Sequence, residues 1–144
     1  MMLPVPPAKL VHGARGLEEA AVAGVEVVAL PEAAISGYGP ESVARCTPDE
    51  IASAEDEIAS ACQRHSVAAI VGTPRDGYDS ALVIDSDGSV LGRQHKMMLV
   101  PTDLPWSRPG DTLNVFTLRG GVQISVIICH DKRLPVLAGS RVIF

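Results

Sequence analysis

The sequence predicts an α/β (α+β) fold, in which apolar strands and amphipathic helices follow one another along a single domain. Residues 25–30 read VEVVAL, a run typical of a buried strand, and residues 15–23 before it have helical character. A longer helix with a complete start signal is predicted at residues 47–65. The chain has 144 residues, the size of one domain, so we expect a single domain over residues 1–144.

The longer helix has the clearest local signal in the chain. Thr47 is a suitable N-cap, Pro48 fits the first helical position, and Glu50 completes a capping box. The acidic residues 55–57 are expected to face away from the core. Apolar residues at helical spacing predict the buried stripe Ile51, Ala54, Ile58, Ala61 and Cys62.

Further strands are predicted between this helix and the middle of the chain. The runs 67–71, 80–84 and 90–95 have the length and composition of strands. Residues 85–88, Asp-Ser-Asp-Gly, supply a turn between the last two. Residues 99–111 contain three prolines, which predict an irregular loop.

The last part of the chain predicts a hairpin. Residues 114–118 and 122–128 flank the short turn Arg119-Gly120-Gly121. Cys129 lies at the exit of the second strand. Residues 140–144, SRVIF, resemble one more strand.

Composition indicates a folded protein and disfavours two classes of partner. Hydrophobic residues make up 47% of the chain and charged residues 20%, as in ordinary globular domains. The net charge of -5 supplies no positive field for nucleic acid or anionic lipid. The longest stretch without a charged residue, 120–130, is too short to span a membrane. We therefore expect no nucleic-acid partner and no membrane partner.

The first residues and the cysteines bear on location and chemistry. Residues 1–15 lack the basic leader and apolar run of a secretory signal, so a cytoplasmic location is expected.

The three cysteines, Cys46, Cys62 and Cys129, form no recognisable disulfide framework. Each is therefore considered as a thiol, with Cys62 in the core.

Cys129 is the best candidate for a reactive thiol. It follows the apolar run VQISVIIC and precedes His130-Asp131-Lys132-Arg133. A thiol where a buried strand opens into a polar turn can be partly exposed and can meet a cation, which suits a nucleophile. The alternative is a small hydrophobic residue at a strand end, which describes most free cysteines.

Glu32 and Lys96 are candidates for the same chemistry. Glu32 follows the first strand at its carboxyl end, where α/β proteins tend to build their sites, and a carboxylate there can take and return protons. Lys96 lies between VLGRQH and the apolar MMLV, so its ammonium could stabilise an oxyanion. Taken singly, Glu32 is better explained as a solvated loop carboxylate and Lys96 as a surface lysine.

Metal and cofactor sites have little support. The sequence Cys129-His130-Asp131 contains ligand types, but adjacent strand residues point to opposite faces and no second cluster accompanies them. No glycine-rich phosphate-binding motif occurs. We therefore expect no metal and no organic cofactor.

Three stretches together resemble the nitrilase, or carbon-nitrogen hydrolase, superfamily: VVALPEAAISGYGP, YDSALVIDSDGSVLGRQHKMML and PGDTLNVFTLRGGVQISVIICHDKRLP. The similarity runs from Gly16 to Phe144. It implies that Glu32 is a general base, Lys96 a catalytic lysine and Cys129 a nucleophile, with the backbone N–H of His130 stabilising an oxyanion. The implied fold is a four-layer α-β-β-α sandwich that forms homo-oligomers when complete.

The chain departs from the family pattern in three ways. It has about half the family's length, so we expect the sandwich truncated to its first half. Only Val136 and Leu137 separate segments that a helix separates in the family, which suggests an internal deletion. Asp103 stands where the family usually has a glutamate, and is a possible auxiliary carboxylate with a shorter arm.

The resemblance implies a hydrolase that cleaves the carbon-nitrogen bond of a small amide, carbamoyl or nitrile substrate through a thioester. The segment PEAAISGYGP favours an amide over a nitrile. The alternative, favoured by the apparent truncation, is a non-catalytic relative that associates with another chain. A redox thiol protein is a third reading, but Cys129 has no resolving cysteine nearby in the sequence.

Overall fold

A four-stranded sheet with helices on one face forms the centre of the molecule. The computed structural model describes residues 8–134, and the side chains of residues 15–134. The predicted strand at residues 140–144 lies outside this part of the chain. The helices are α1 (Ala8–Val22), α2 (Pro40–Ala44) and α3 (Pro48–His65). The strands of the sheet are β1 (Val27–Ala29), β2 (Ala68–Arg75), β3 (Tyr78–Ile84) and β4 (Val90–His95). They are followed by β5 (Phe116–Thr117), β6 (Gln123–Ile124) and a 3-10 helix, Cys129–Arg133.

The sheet has the order β1-β2-β3-β4. The first pair is parallel, because α3 carries the chain back between β1 and β2, and the other two pairs are antiparallel. Strands β5 and β6 form a separate antiparallel pair. The α/β fold class predicted from the sequence is confirmed.

Successive side chains along each strand point to opposite sides of the sheet, and both sides carry apolar residues. One face packs against α1 and α3 through Leu17, Ile58, Ala61, Cys62, Val67, Ala69, Val71, Leu82 and Ile84. The other packs against the segment that contains β5 and β6 through Ala68, Ile70, Ala81, Val83, Phe116, Leu118, Ile124, Val126 and Ile128. Both faces of β2 and β3 are therefore buried.

Helix α3 begins as predicted. The Thr47 hydroxyl accepts from the Glu50 backbone N–H at 3.2 Å, and the Glu50 carboxylate accepts from the Thr47 N–H at 2.8 Å. The predicted apolar stripe, including Cys62, is buried. The helix ends at His65, and its C-cap, Ser66, adopts a left-handed conformation with φ 54°.

Several boundaries differ from the prediction. Helix α1 begins at Ala8 and not near Arg15. The hairpin is shorter than predicted, with two paired residues on each side. Asn114, at the start of the predicted first strand, instead donates its backbone N–H to the Gln94 side chain at 2.8 Å. Residues 97–115 form turns and irregular structure, as expected for the proline-rich loop. Within the described residues, no helix is both long and apolar enough to cross a membrane.

Glu55 contradicts its predicted exposure, since it is buried. Position 55 is four residues after Ile51, so helical spacing places it on the core face despite its charge. Its carboxylate accepts from Thr73 at 2.8 Å and from Arg75 at 2.5 Å, and it also accepts from both terminal nitrogens of Arg93. Glu55 therefore joins α3 to β2 and β4.

We predict that Glu55→Gln lowers the free energy of unfolding by roughly 1 to 3 kcal/mol, because two arginines lose their counter-charge while remaining partly hydrated. Burial raises the pKa of Glu55, but hydrogen bonds from Arg93 and Thr73 outweigh burial and hold the pKa below its usual value. The stabilisation is thus present at neutral pH and lost as pH falls through the folded-state pKa. Urea denaturation should show that the difference in free energy of unfolding between the wild type and Glu55→Gln is smaller at acid pH than at neutral pH. Glu57→Gln on the exposed face is the control, and equal effects of both changes would contradict the assignment.

Candidate active site

A fully buried lysine lies at the centre of the candidate site. Lys96 directly follows β4, and its backbone N–H donates to the Asp79 carbonyl at 2.8 Å, which continues the β3–β4 pairing. Its ammonium nitrogen lies 2.7 Å from Glu32 Oε1, 2.8 Å from Asp103 Oδ2 and 3.8 Å from Asp79 Oδ2. The interpretation of Lys96 as a surface lysine is therefore wrong, because its side chain is fully buried.

The electrostatics of this cluster favour a charged lysine. Burial lowers the pKa of Lys96, but its hydrogen bonds to Asp103 and Glu32 outweigh burial and hold the pKa above its usual value. Carboxylate oxygens of Glu32, Asp79 and Asp103 lie within 4.8 Å of one another, an arrangement that could also hold a metal ion. The Lys96 ammonium, within ion-pair distance of all three, already supplies a cation to this group.

Asp103 reaches Lys96 from the proline-rich loop. A turn closed by the Asp103 N–H and the Val100 carbonyl directs the side chain inward, and the Val100 N–H donates to Asp103 Oδ2 at 2.8 Å. The Tyr38 hydroxyl donates to Oδ1 at 2.7 Å. Burial raises the pKa of Asp103, but the hydrogen bonds from Lys96 and Tyr38 outweigh it and lower the pKa. The shorter arm of an aspartate therefore suffices to meet Lys96.

Glu32 is placed by a turn that begins where β1 ends. Ala33, the next residue, is buried and has a φ of 52°, a left-handed conformation that costs energy for a residue with a Cβ. The turn lies directly on the backbone of β2. A Cβ at Gly72 would lie 2.6 Å from the Ala33 nitrogen and 2.8 Å from the Glu32 carbonyl carbon. Only glycine at position 72 allows this approach.

Cys129 lies at the start of the 3-10 helix and is exposed. Its φ is 49°, so the chain turns sharply at the residue that carries the thiol. Cys129 and Glu32 both line one cavity of about 380 Å³. Its other walls include the apolar side chains of Ile70, Ala81 and Val126. The structure thus brings the thiol, the carboxylate and, through that carboxylate, Lys96 to one place.

Asp131 connects the cysteine turn to the lysine segment. It is fully buried and accepts from the backbone N–H groups of Met97, Met98 and Ile128 at 3.0, 2.7 and 3.2 Å. The three residues from Cys129 to Asp131 lie in a 3-10 helix, so the strand geometry assumed for them from the sequence is wrong. His130 between them is half-buried.

Sequence reasoning missed Asp79, Tyr38 and Asp131 as parts of this site. Asp79 lies opposite Lys96, one step beyond the Ser80–His95 pair, but a register shift at Val83 and Ile84 displaces this pairing by one residue. Counting outward from the turn at residues 85–88 would therefore have paired Asp79 with His95. The contacts of Tyr38 and Asp131 depend on loop conformation, for which the sequence offered no signal.

Solved structures of similar fold include amidases. A glutamate-to-glutamine mutant of the amidase from Nesterenkonia sp. AN1, whose structure shows acrylamide added at the active-site cysteine, has a TM-score of 0.83 and 20% identity to this chain. The match covers 93% of this chain and 56% of that one. Another structure of an amidase from Nesterenkonia sp. has a TM-score of 0.83 at 22% identity, over 93% and 54% of the two chains. The fold is therefore that of nitrilase-superfamily amidases, over about half of their length.

The carbon-nitrogen hydrolase family matches residues 8–139, and the chain belongs to this family. Omega-amidase NIT2 of Xenopus tropicalis is 28% identical over 152 aligned positions, which cover 96% of this chain and 55% of that protein. The bifunctional nitrilase/nitrile hydratase NIT4A of Nicotiana tabacum is 32% identical over 158 positions, covering 91% and 44%. The chain spans about half the length of the curated relatives that it matches.

We predict that Gly72→Ala destabilises the fold by roughly 1 to 3 kcal/mol, because the added methyl group must displace the turn that carries Glu32. The matched control is Gly16→Ala in α1, where a Cβ meets nothing within 4 Å. That change should be neutral or stabilising by up to about 1 kcal/mol. Urea denaturation of the two variants checks both statements, and equal midpoints would show that the close approach at Gly72 is unimportant.

Proposed function

We propose that this protein hydrolyses small amides through Cys129, Glu32 and Lys96. The observation that carries the proposal is the cavity that both Cys129 and Glu32 line, with Glu32 held at 2.7 Å by the buried ammonium of Lys96. An exposed thiol on a sharp turn is accessible to substrate, and a carboxylate facing the same space can accept its proton.

In the first half of the proposed reaction, Glu32 accepts the proton of the Cys129 thiol as the sulfur attacks the amide carbon. A carbon-sulfur bond forms, and the carbonyl oxygen becomes an oxyanion. Glu32 then returns the proton to the leaving nitrogen, so that the carbon-nitrogen bond breaks and ammonia or an amine departs. A thioester between Cys129 and the acyl group remains.

In the second half, water replaces the amine. Glu32 removes a proton from the water as its oxygen attacks the thioester carbon, and the carbon-sulfur bond breaks. The carboxylic acid leaves, and the proton held by Glu32 returns to the sulfur. The same carboxylate therefore acts as base and acid in each half, which microscopic reversibility favours.

Lys96 and His130 act on the charge that develops. The ammonium of Lys96 is fully buried, so its interaction with negative charge is weakly screened. Lys96 and the backbone N–H of His130 stabilise the oxyanion, a contribution of about 3 kcal/mol for a well-placed donor. Asp103, as the auxiliary carboxylate, holds the Lys96 ammonium at 2.8 Å.

The proposed substrate class is a small amide. The cavity of about 380 Å³ suits a small molecule, and its largely apolar wall suits a short carbon chain behind the reacting carbonyl. Relatives and structural neighbours named as amidases support an amide substrate.

We predict that the protein releases ammonia from at least one member of a panel of short aliphatic amides, and that Cys129→Ala reduces release by roughly a thousandfold or more. Cys46→Ala is the matched control, because Cys46 lies outside the cavity that Cys129 lines. Equal ammonia release by the wild type and the Cys129 variant would contradict the proposal.

We also predict that Cys129 reacts faster with acrylamide at neutral pH than a model thiol does, since a nucleophilic cysteine is activated by its surroundings. Acrylamide is a suitable probe because it adds to the active-site cysteine of a glutamate-to-glutamine mutant of the Nesterenkonia amidase. Mass spectrometry of digested protein would follow Cys129 and Cys46 separately. A rate at Cys129 equal to that of a model thiol would support the non-catalytic alternative.

A further inference from the structure

Asp79 is a buried carboxyl group for which the reaction above has no use. It lies at the start of β3 and is fully buried. Its backbone is well satisfied, since its N–H donates to the Ser107 hydroxyl at 2.8 Å and its carbonyl accepts from the Lys96 N–H at 2.8 Å. Its side chain differs. Neither carboxyl oxygen has a hydrogen-bond partner among the described residues.

The nearby ammonium of Lys96 does not supply a hydrogen bond to the Asp79 carboxyl group. Lys96 Nζ lies 3.8 Å from Asp79 Oδ2, beyond hydrogen-bond distance, and it donates instead to Glu32 and Asp103 at 2.7 and 2.8 Å. If all three carboxyls were ionised, three negative charges would surround one positive charge inside the protein. Burying an ionised carboxylate without a donor is costly, so the uncharged form of Asp79 is favoured.

We propose that Asp79 is a neutral carboxylic acid that donates its O–H to Glu32, and is thereby a positioning residue for that carboxylate. One oxygen of each group lies within 4.8 Å of the other, and a hydrogen bond with Glu32 is the largest cause after burial of the raised pKa of Asp79. Glu32 is an acceptor on the cavity wall. The acidic proton of Asp79 gives the buried side chain a hydrogen bond that it otherwise lacks. The positioning role rests on the proposed function of Glu32, whereas the protonation of Asp79 does not.

The charged groups that face Asp79 agree with this assignment. Burial and then the proximity of Glu32 raise the pKa of Asp79, the nearby Lys96 lowers it, Asp103 raises it further, and the result is a pKa of about 8. With Asp79 neutral, the ionised Glu32 and Asp103 and the Lys96 ammonium sum to one negative charge. That charge is cancelled when Glu32 accepts the Cys129 proton.

The proposal has a consequence for pH. A carboxyl whose pKa is raised in the folded state adds stability that is complete below the unfolded-state pKa and is lost as pH rises through the folded-state value. Ionisation of Asp79 would also remove the donor to Glu32. Stability should therefore decline as pH rises from the unfolded-state pKa to about 8, and the proposed hydrolysis should decline as pH rises through about 8, both because of this one group.

Infrared difference spectroscopy of the wild type and Asp79→Asn at neutral pH tests the protonation directly. The wild type should show the C=O stretch of a buried, protonated carboxyl group, and the variant should lack it. Thermal unfolding provides a second readout. The Tm of Asp79→Asn relative to the wild type should rise between about pH 5 and about pH 9, because the amide cannot ionise.

Asp103→Asn is the matched control, since the pKa of Asp103 is lowered and its carboxylate is ionised. This variant should be less stable than the wild type at neutral pH, with a gap that narrows as pH falls. An Asp79→Asn variant that behaves in the same way, or that retains the carboxyl stretch, would overturn the proposal. Neither readout depends on amide hydrolysis, so the two proposals can fail separately.

The pH profile of hydrolysis tests the positioning role. Wild-type kcat should fall as pH rises through about 8, and Asp79→Asn should lack this decline because its amide N–H remains a donor to Glu32. Asp79→Ala, which has no donor, should lower kcat at all pH values, and the asparagine should restore part of the loss. If kcat fell equally with rising pH in the wild type and in Asp79→Asn, the role of Asp79 in positioning Glu32 would be overturned.

Discussion

The burial of the Lys96 ammonium is the constraint that organises the site. A charged amine inside a protein needs acceptors close by, and Glu32 and Asp103 provide them at 2.7 and 2.8 Å. Each carboxylate comes from a different segment: the turn after β1 and the loop after β4. These segments converge on Lys96 because the lysine cannot remain charged and buried without them. The proposed chemistry uses the same contacts.

The two faces of the sheet have different tasks. On one face, α1 and α3 cover the strands with a continuous apolar core. On the other, apolar residues of β2 and β3 partly contact the segment around β5 and β6, and partly form the wall of the cavity. Strands β2 and β3 therefore belong both to the core and to the cavity, and their near-continuous apolar sequence reflects burial on both sides.

The sequence was informative where a feature depends on local chemistry. The capping box at Thr47 and the position of Glu32 after β1 follow from residue order and strand periodicity. Asp79 escaped notice because its neighbour Lys96 is opposite it only through strand register, and Asp131 because its partners are backbone N–H groups of distant residues. Glu55 was misjudged because charge was given more weight than helical spacing, although two arginines from other strands offset the cost of burial.

The position of Gly72 in β2 links the stability of the fold to the geometry of the cavity. Three residues further along that strand, Arg75 pairs with Glu55, and on β4 the same carboxylate pairs with Arg93, three residues before Lys96. One residue of α3 thus anchors both the strand on which the Glu32 turn rests and the strand from which Lys96 emerges. A change in α3, none of whose residues lines the cavity, can therefore alter the spacing of the groups around the thiol.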